Sequence, residues 1–271
     1  FHRWLPAAMV APTPVSALLH AVAVVKAGVF SVLKVAVYIF GIDLLSSTGA
    51  SFWLAYIAGA TIIIASLVAM RKDNLKARLA YSTVSQLSYI VLGAMLATSA
   101  GAIGGAMHIA MHAFGKITLF FCAGAIMVAT HKTEISQMHG LGRRMPLTFI
   151  AFGVAALSII GLPPLGGAWS KWQLGLGAAE TGQSILVAIL MISSLLNVAY
   201  LIPVAVRAFM PVPTTNEQEA LSEQDARWRL DEAPLLCVVP LCMTAMGCFA
   251  LFLFANDIFA FLQPIASGGK P

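Results

Sequence analysis

Between Met145 and Glu180 the chain reads MPLTFIAFGVAALSIIGLPPLGGAWSKWQLGLGAAE, an apolar segment interrupted near its middle. Leu147 to Ile160 is helix-compatible, but at about 1.5 Å per residue it reaches roughly 21 Å, short of a hydrocarbon core of about 30 Å. Gly161-Leu162-Pro163-Pro164-Leu165-Gly166-Gly167 cannot continue a helix. Its prolines lack N–H donors and its glycines loosen the backbone. A second apolar run follows, with Lys171 set between Trp169 and Trp172. Irregular backbone at membrane depth is tolerated only where protein or a watery cavity satisfies its polar groups. A lysine beside such a break is therefore a candidate ion site. The competing reading is a kink with a snorkelling lysine.

Composition supports a membrane setting. Hydrophobic residues make up 59% of the chain and charged residues 10%, against roughly 25% charged in soluble domains. The predicted class is all-α, a polytopic transmembrane helix bundle. Cys122, Cys237, Cys242 and Cys248 lie inside apolar runs with no C-x-x-C pair, so they read as core residues without a disulfide or iron–sulfur framework. The chain opens at Phe1 inside what reads as a continuing segment, and it is expected to be the C-terminal part of a longer protein.

The hydropathy pattern divides the chain into about seven spans. A proline-punctuated lead-in (1–14) carries His2 and Arg3. Helix A follows at about Val15–Phe40, then a loop over Gly41–Ser51 and a uniformly apolar helix B at Phe52–Met70. A basic loop, Arg71–Arg78, leads to helix C at Leu79–Thr98. A tight turn at Ser99–Ala102 precedes helix D at Ile103–Thr130. After a polar loop (His131–Arg144) comes the broken helix E, then helix F at Ser184–Phe209, a polar linker at Met210–Glu232, and helix G at Ala233–Leu262. With this arrangement, eleven of the sixteen Lys and Arg residues fall on the side of the lead-in. None falls in the three loops opposite, Lys270 in the tail is the sole cation there, and Lys26, Lys34, Lys116 and Lys171 lie within helices. By the positive-inside rule the basic side is cytoplasmic. The net charge of +5 is thus sorted by membrane side and does not indicate a nucleic-acid partner.

Lys26 lies about twelve residues into helix A, near mid-bilayer, where a lysine side chain cannot reach the interface. It should face protein or water, as a proton carrier or as a structural donor to broken backbone. Lys34, two turns nearer the other side, is better placed to snorkel. On helix D, His108, His112 and Lys116 recur at i, i+4, i+8 and form one polar stripe within about 80°. A metal site would need a third ligand, and none is evident. Two imidazoles titrating near neutrality, followed by an amine whose pKa burial can depress, fit a proton relay. The alternative is histidines satisfied by neighbouring helices. The free carbonyls at Ile160 should favour a charged Lys171 amine, while the N-terminus of the next half-helix opposes it. Ser82, Thr83, Ser85, Gln86 and Ser88 of helix C read first as helix–helix hydrogen-bonding groups.

Four stretches in order carry a resemblance: FHRWLPAAMVAPTPVSALLHAVAVVKAG, LAYSTVSQLSY, HIAMHAFGKITLFFCAGA and GLPPLGGAWSKW. They resemble the large antiporter-like membrane subunits of respiratory complex I and of Mrp-type Na+/H+ antiporters. The Lys-Trp pair after the break looks closest to the Mrp-type D subunit. The resemblance implies two inverted five-helix repeats, each with a broken helix. Residues 1–40 would close the first repeat and 41–209 would form the second. Residues 210–232 would be a cytoplasmic linker, and 233–271 the last helix and tail. It also implies a proton path through Lys26, His108, His112, Lys116 and Lys171, with His20 as a secondary member, running laterally from Lys26 by way of Lys116 to Lys171.

The first repeat's glutamate–lysine pair is absent from this chain. The implied function is proton translocation against Na+ or another monovalent cation, in the cell membrane, beside other subunits, with no cofactor, no metal and no catalytic chemistry in this chain. The alternative within the family is a proton pump of a complex I-type or hydrogenase-type redox complex. A quinone- or haem-binding subunit would need ligands on facing helices, and a pure scaffold would not need buried lysines.

Overall fold

The computed structural model describes residues 4–8, 11–18, 23–211 and 231–266. Every regular element there is helical, with one isolated bridge pairing Asn74 and Glu134. Two short helices, α1 (Trp4–Ala7) and α2 (Thr13–Ala17), precede α3 (Val24–Lys34), which ends in π-turns over Val35–Phe40. Helix A is therefore segmented. His20 of the predicted path lies outside the described residues, as do most of the 210–232 linker and the tail.

The predicted loop after helix A contains a helix, α4 (Ile42–Thr48), bent by 82° from the preceding axis. Gly41, with φ of +83°, makes the corner that a β-carbon would resist. Next come α5 (Ser51–Met70), α6 (Leu75–Met95) and the long α7 (Ser99–Thr130). Helix α6 starts a turn earlier than its hydropathy suggests, because Asn74 caps it by accepting from Ala77 N at 3.1 Å. The turn into α7 also comes earlier than predicted, because Thr98 caps that helix through Gly101 N at 3.1 Å.

The 131–144 loop folds into a single 3-10 turn and α8 (Leu141–Arg144). The broken helix is α9 (Pro146–Ile160) followed by α10 (Gly167–Glu180), with the interruption where the Gly-Pro run predicts it. Glu232 accepts from Leu147 N at 2.7 Å and from Thr148 Oγ1 at 2.7 Å, so the linker's far end caps α9. Helix α11 (Ser184–Phe209) follows. The predicted single helix G is two, α12 (Leu235–Leu253) and α13 (Ala255–Ala266), parted at Phe254.

Four of these helices, α5, α7, α11 and α12, are long and apolar enough to cross a membrane, or five if the bent α3–α4 pair is one span. That is fewer than the seven expected, for physical reasons. Helix α6 is 21 residues long but carries the hydroxyl and amide patch. Helices α9 and α10, at 15 and 14 residues, are each too short alone.

Besides a small cluster of Ile103, Met107, Met111 and Ala255, the bundle packs around α7 in two large apolar clusters. One gathers Leu79, Phe120, Phe149, Phe152, Tyr200 and Val204, and the other gathers Ile62, Tyr89, Leu92, Leu174 and Leu186. Helix α9 contributes to the first and α10 to the second. Between them α6 places Ser82 to Gln86, α7 places His112 and Lys116, and α11 places Ser193 to Asn197. The polar residues thus form one belt, and the α9–α10 break lies at its height.

Candidate functional site

Within the belt, Lys26 is 6% exposed and Lys116, His108 and His112 are 0–1% exposed. Lys34 is exposed instead, its amine over the Phe30 ring at 5.8 Å, as a snorkelling residue would be. Lys26 Nζ and His112 Nδ1 are hydrogen-bonded to each other across 86 residues of sequence. The His112 ring lies 5.8 Å from that of His108, which stacks on Tyr89 at 5.5 Å. The i, i+4 spacing puts the two imidazoles on one face of α7, and Lys26 meets the second of them, His112.

Two arms leave the histidines. In the first, His108 Nε2 faces Gln86 Oε1 at 3.2 Å, and Gln86 Nε2 donates to Asn197 Oδ1 at 3.4 Å. Tyr200 donates its hydroxyl to the same Asn197 oxygen. That uses the phenol's one proton, so across their 2.8 Å contact Ser82 donates to Tyr200. Lys116 Nζ donates to Ser82 Oγ at 2.7 Å and to Leu79 O at 3.2 Å. Apart from the Lys116 bond to Leu79 O, the donors on this arm point toward Asn197 Oδ1, where the chains from Lys116 and from His108 converge. The amides hold the chain together without titrating.

The second arm runs through the break. Gly161 ends α9 with φ of +92°, and a β-carbon there would lie 2.8 Å from Lys171 Cδ. The bare glycine lets Lys171 fold back over the helix end. Its amine donates to Ile160 O at 3.0 Å and Ser194 Oγ at 3.2 Å, and sits 5.0 Å from the Tyr89 ring centre. The partial negative charge of a helix C-terminus and the face of an aromatic ring both favour an ammonium. Ser170, next to Lys171, places Oγ 2.9 Å from His108 Nδ1.

The sequence expectation ran from Lys26 by way of Lys116 to Lys171, with the histidines as intervening or branching carriers. Lys26 meets His112 directly, and the two arms then diverge from His108 toward Lys116 and toward Lys171. The helix C patch divides as well. Ser85 ties α6 to α5 through Ile62 O at 3.1 Å and Ser66 Oγ at 2.9 Å, which is the structural role first read for it. Ser82 and Gln86 instead join the ionisable belt. Sequence reasoning missed Tyr89, Ser170, Ser194, Asn197 and Tyr200. The signal for the α11 members is Ser193, Asn197 and Tyr200 at i, i+4, i+7 in an otherwise apolar helix.

Among the described residues, His112 Nε2 and Asn197 Nδ2 are buried without a partner, and Tyr89 OH faces Ser193, Ser194 and Asn197 without hydrogen-bond geometry to any of them. Among the described residues no three of His, Cys, Asp or Glu converge as metal ligands would. The belt holds amines, imidazoles, hydroxyls and amides, a set that can bind and pass protons.

Comparison with known proteins gives a consistent family. The family described as "NADH:quinone oxidoreductase/Mrp antiporter, TM" matches residues 1–197. The chain is 35% identical over 261 residues to NADH-quinone oxidoreductase subunit N of Desulforudis audaxviator, covering 95% of this chain and 52% of that protein. It is 38% identical over 182 residues to a protein of a probable K(+)/H(+) antiporter from Rhizobium meliloti, covering 67% of this chain and 18% of that one. The chain therefore spans about half the length of the first relative, and less of the second.

Two solved structures share the fold. The Mrp complex from Dietzia sp. superposes with a TM-score of 0.83 at 22% identity, covering 98% of this chain and 55% of its counterpart. The membrane-bound sulfane sulfur reductase, an archaeal respiratory membrane complex, gives 0.82 at 25% identity, covering 98% and 51%.

Proposed function

The chain belongs to the NADH:quinone oxidoreductase/Mrp antiporter membrane family, and from that premise we propose that it is a proton-translocating subunit of a multisubunit monovalent cation (Na+)/H+ antiporter. The observation that carries this reading is the belt: Lys26, His112, His108, Lys116 and Lys171 lie in the polar zone between two apolar clusters, Lys26 bonded to His112 and the others to Gln86, Ser82 and Ser194. Charged amines in an apolar bundle are costly and are kept for moving ions. The D-subunit likeness rests on the Lys171–Trp172 pair, and the K(+)/H(+) antiporter relative favours the antiporter setting.

The test is proton flux through the complete complex in sealed vesicles. His112→Gln removes the imidazole that meets Lys26. A lost hydrogen bond to a charged group, about 1.5 kcal/mol or more, slows a transfer about tenfold. Flux equal to wild type in that variant would sink the assignment.

A second reading is a proton pump within a respiratory complex, favoured by the NADH-quinone oxidoreductase relative and by the sulfane sulfur reductase fold match. The two separate on the driving force. Antiport requires a Na+ gradient, whereas a pump requires an electron donor and acceptor.

The arrangement we propose has seven spans: α3, α5, α6, α7, the broken α9–α10 pair, α11 and α12. The basic loops would be cytoplasmic in the plasma membrane. Residues 1–40 would close a first repeat, 41–209 would form the second, 210–232 would be a cytoplasmic linker and 233–271 the last span and tail. Cysteines introduced by Lys72→Cys and Gln137→Cys, both at exposed positions, should react with an impermeant reagent only from the cytoplasm. Ser47→Cys on α4 should react only from outside. Reversal at any one of the three positions would overturn this topology.

A further inference from the structure

The Ser170 hydroxyl has one proton and two acceptors within reach. Its Oγ lies 2.9 Å from His108 Nδ1 and 3.2 Å from Gly167 O, and the side chain is wholly buried. A hydroxyl can donate to only one of them at a time.

The other ring nitrogen settles which. His108 Nε2 faces an amide oxygen, Gln86 Oε1, and that amide is oriented by its own nitrogen donating to Asn197 Oδ1. Nε2 therefore carries a hydrogen whether the ring is neutral or charged. In the neutral ring Nδ1 is a lone pair, met only if Ser170 points its proton at it. In the charged ring Nδ1–H points at Ser170 Oγ, and the hydroxyl turns to Gly167 O.

Gly167 is the first residue of α10, and its carbonyl is also the helical acceptor for Lys171 N–H. The charged and titratable groups facing His108 are Tyr89 on α6, His112 on α7, Lys26 on α3 and Lys171 on α10.

We propose that Ser170 is a positioning residue that couples the charge of His108 to the first turn of α10, where Lys171 is held. Loading a proton on His108 turns the hydroxyl onto the Gly167 carbonyl and tightens that turn. Unloading it frees the carbonyl. The proposal rests on the reading above that His108 carries protons.

The experiment uses the complete complex in vesicles, with flux measured across a pH series, and nitrogen NMR of histidine-labelled protein with the His108 signal assigned by its loss in His108→Gln. Ser170→Ala deprives the charged ring of an acceptor and the neutral ring of a donor, and the charge-assisted bond is the stronger by about twofold. The pH profile should move about one unit toward acid, which is a tenfold loss of preference for the charged ring. The neutral ring's Nδ1 resonance should become that of a free lone pair. Ser170→Thr keeps the hydroxyl and should restore both.

Superimposable profiles and spectra for Ser170→Ala would overturn the proposal while leaving His108 a carrier. Unaltered flux in His108→Gln would sink the underlying reading, and this proposal with it. Ser170→Thr behaving like Ser170→Ala would reduce the site to packing. If Ser170→Ala does not assemble, the threonine variant's profile and the wild-type spectra decide.

Discussion

Lys171→Ala is expected to reduce proton-coupled transport by at least about 100-fold while the complex still assembles. The amine makes two hydrogen bonds, to Ile160 O and Ser194 Oγ, and no other described side chain reaches the end of α9 in its place. Two bonds to a charged group at about 1.5 kcal/mol each amount to about 3 kcal/mol, or roughly two decades in rate. Assembly should survive, because the clusters on either side of the break are built from apolar residues that do not include Lys171. Lys171→Arg should not restore transport in full: arginine keeps its charge throughout and presents a planar fork where a point charge is held. The measurement is flux in vesicles beside an assembly check on a native gel. Normal flux in the alanine variant would remove Lys171 from the path.

Gly167→Ala should have the largest effect on stability. A β-carbon at Gly167 would lie 1.8 Å from Ser158 O, a backbone atom near the end of α9. No side-chain rearrangement relieves a clash with backbone, so the first turn of α10 must move away from α9. That withdraws Lys171 from Ile160. Overpacking of this kind costs at least about 3 kcal/mol, the upper end of its usual range. Thermal unfolding of the purified complex should show it as a lowered Tm and a smaller assembled fraction. Gly175→Ala on the same helix is the control. Nothing lies within 4 Å of its β-carbon position, so its Tm should hold or rise slightly. Equal Tm values for the two variants would mean that α10 is free to slide on α9.

The helix break, the polar stripe of α7 and the segment order were legible in the sequence because each is local. Proline and glycine announce a break, and four-residue spacing announces a face. The buried positions of Lys26 and Lys116 follow from their depth in apolar runs. What could not be read is which groups meet across helices. Lys26 and His112 are 86 residues apart, and nothing in either helix names the other. Asn197 and Tyr200 were obscured by the apolar run around them, and Ser170 by the lysine next to it. Hydropathy counted α6 among seven spans, whereas the structure gives four or five helices apolar enough to cross, α6 not among them, because the residues that build the belt lower its apolar content. The bend at Gly41 and the division of α12 from α13 depend on packing that sequence periodicity does not report.

The two apolar clusters that enclose the belt have an electrical consequence. Voltage across a membrane falls mainly where the medium is least polarisable, which in the seven-span arrangement proposed above is in two separate plugs, one on each side of a polarisable middle layer. On the function proposed above, a proton that reaches the layer from one face has crossed a single plug. Moving one elementary charge through the full potential costs or yields about 2.3 kcal/mol per 100 mV. Entry and exit each take only a share of that work, and the share is set by the relative thickness of the two plugs. Helix α9 belongs to one plug and α10 to the other, so the membrane potential bears on both sides of the joint that holds Lys171.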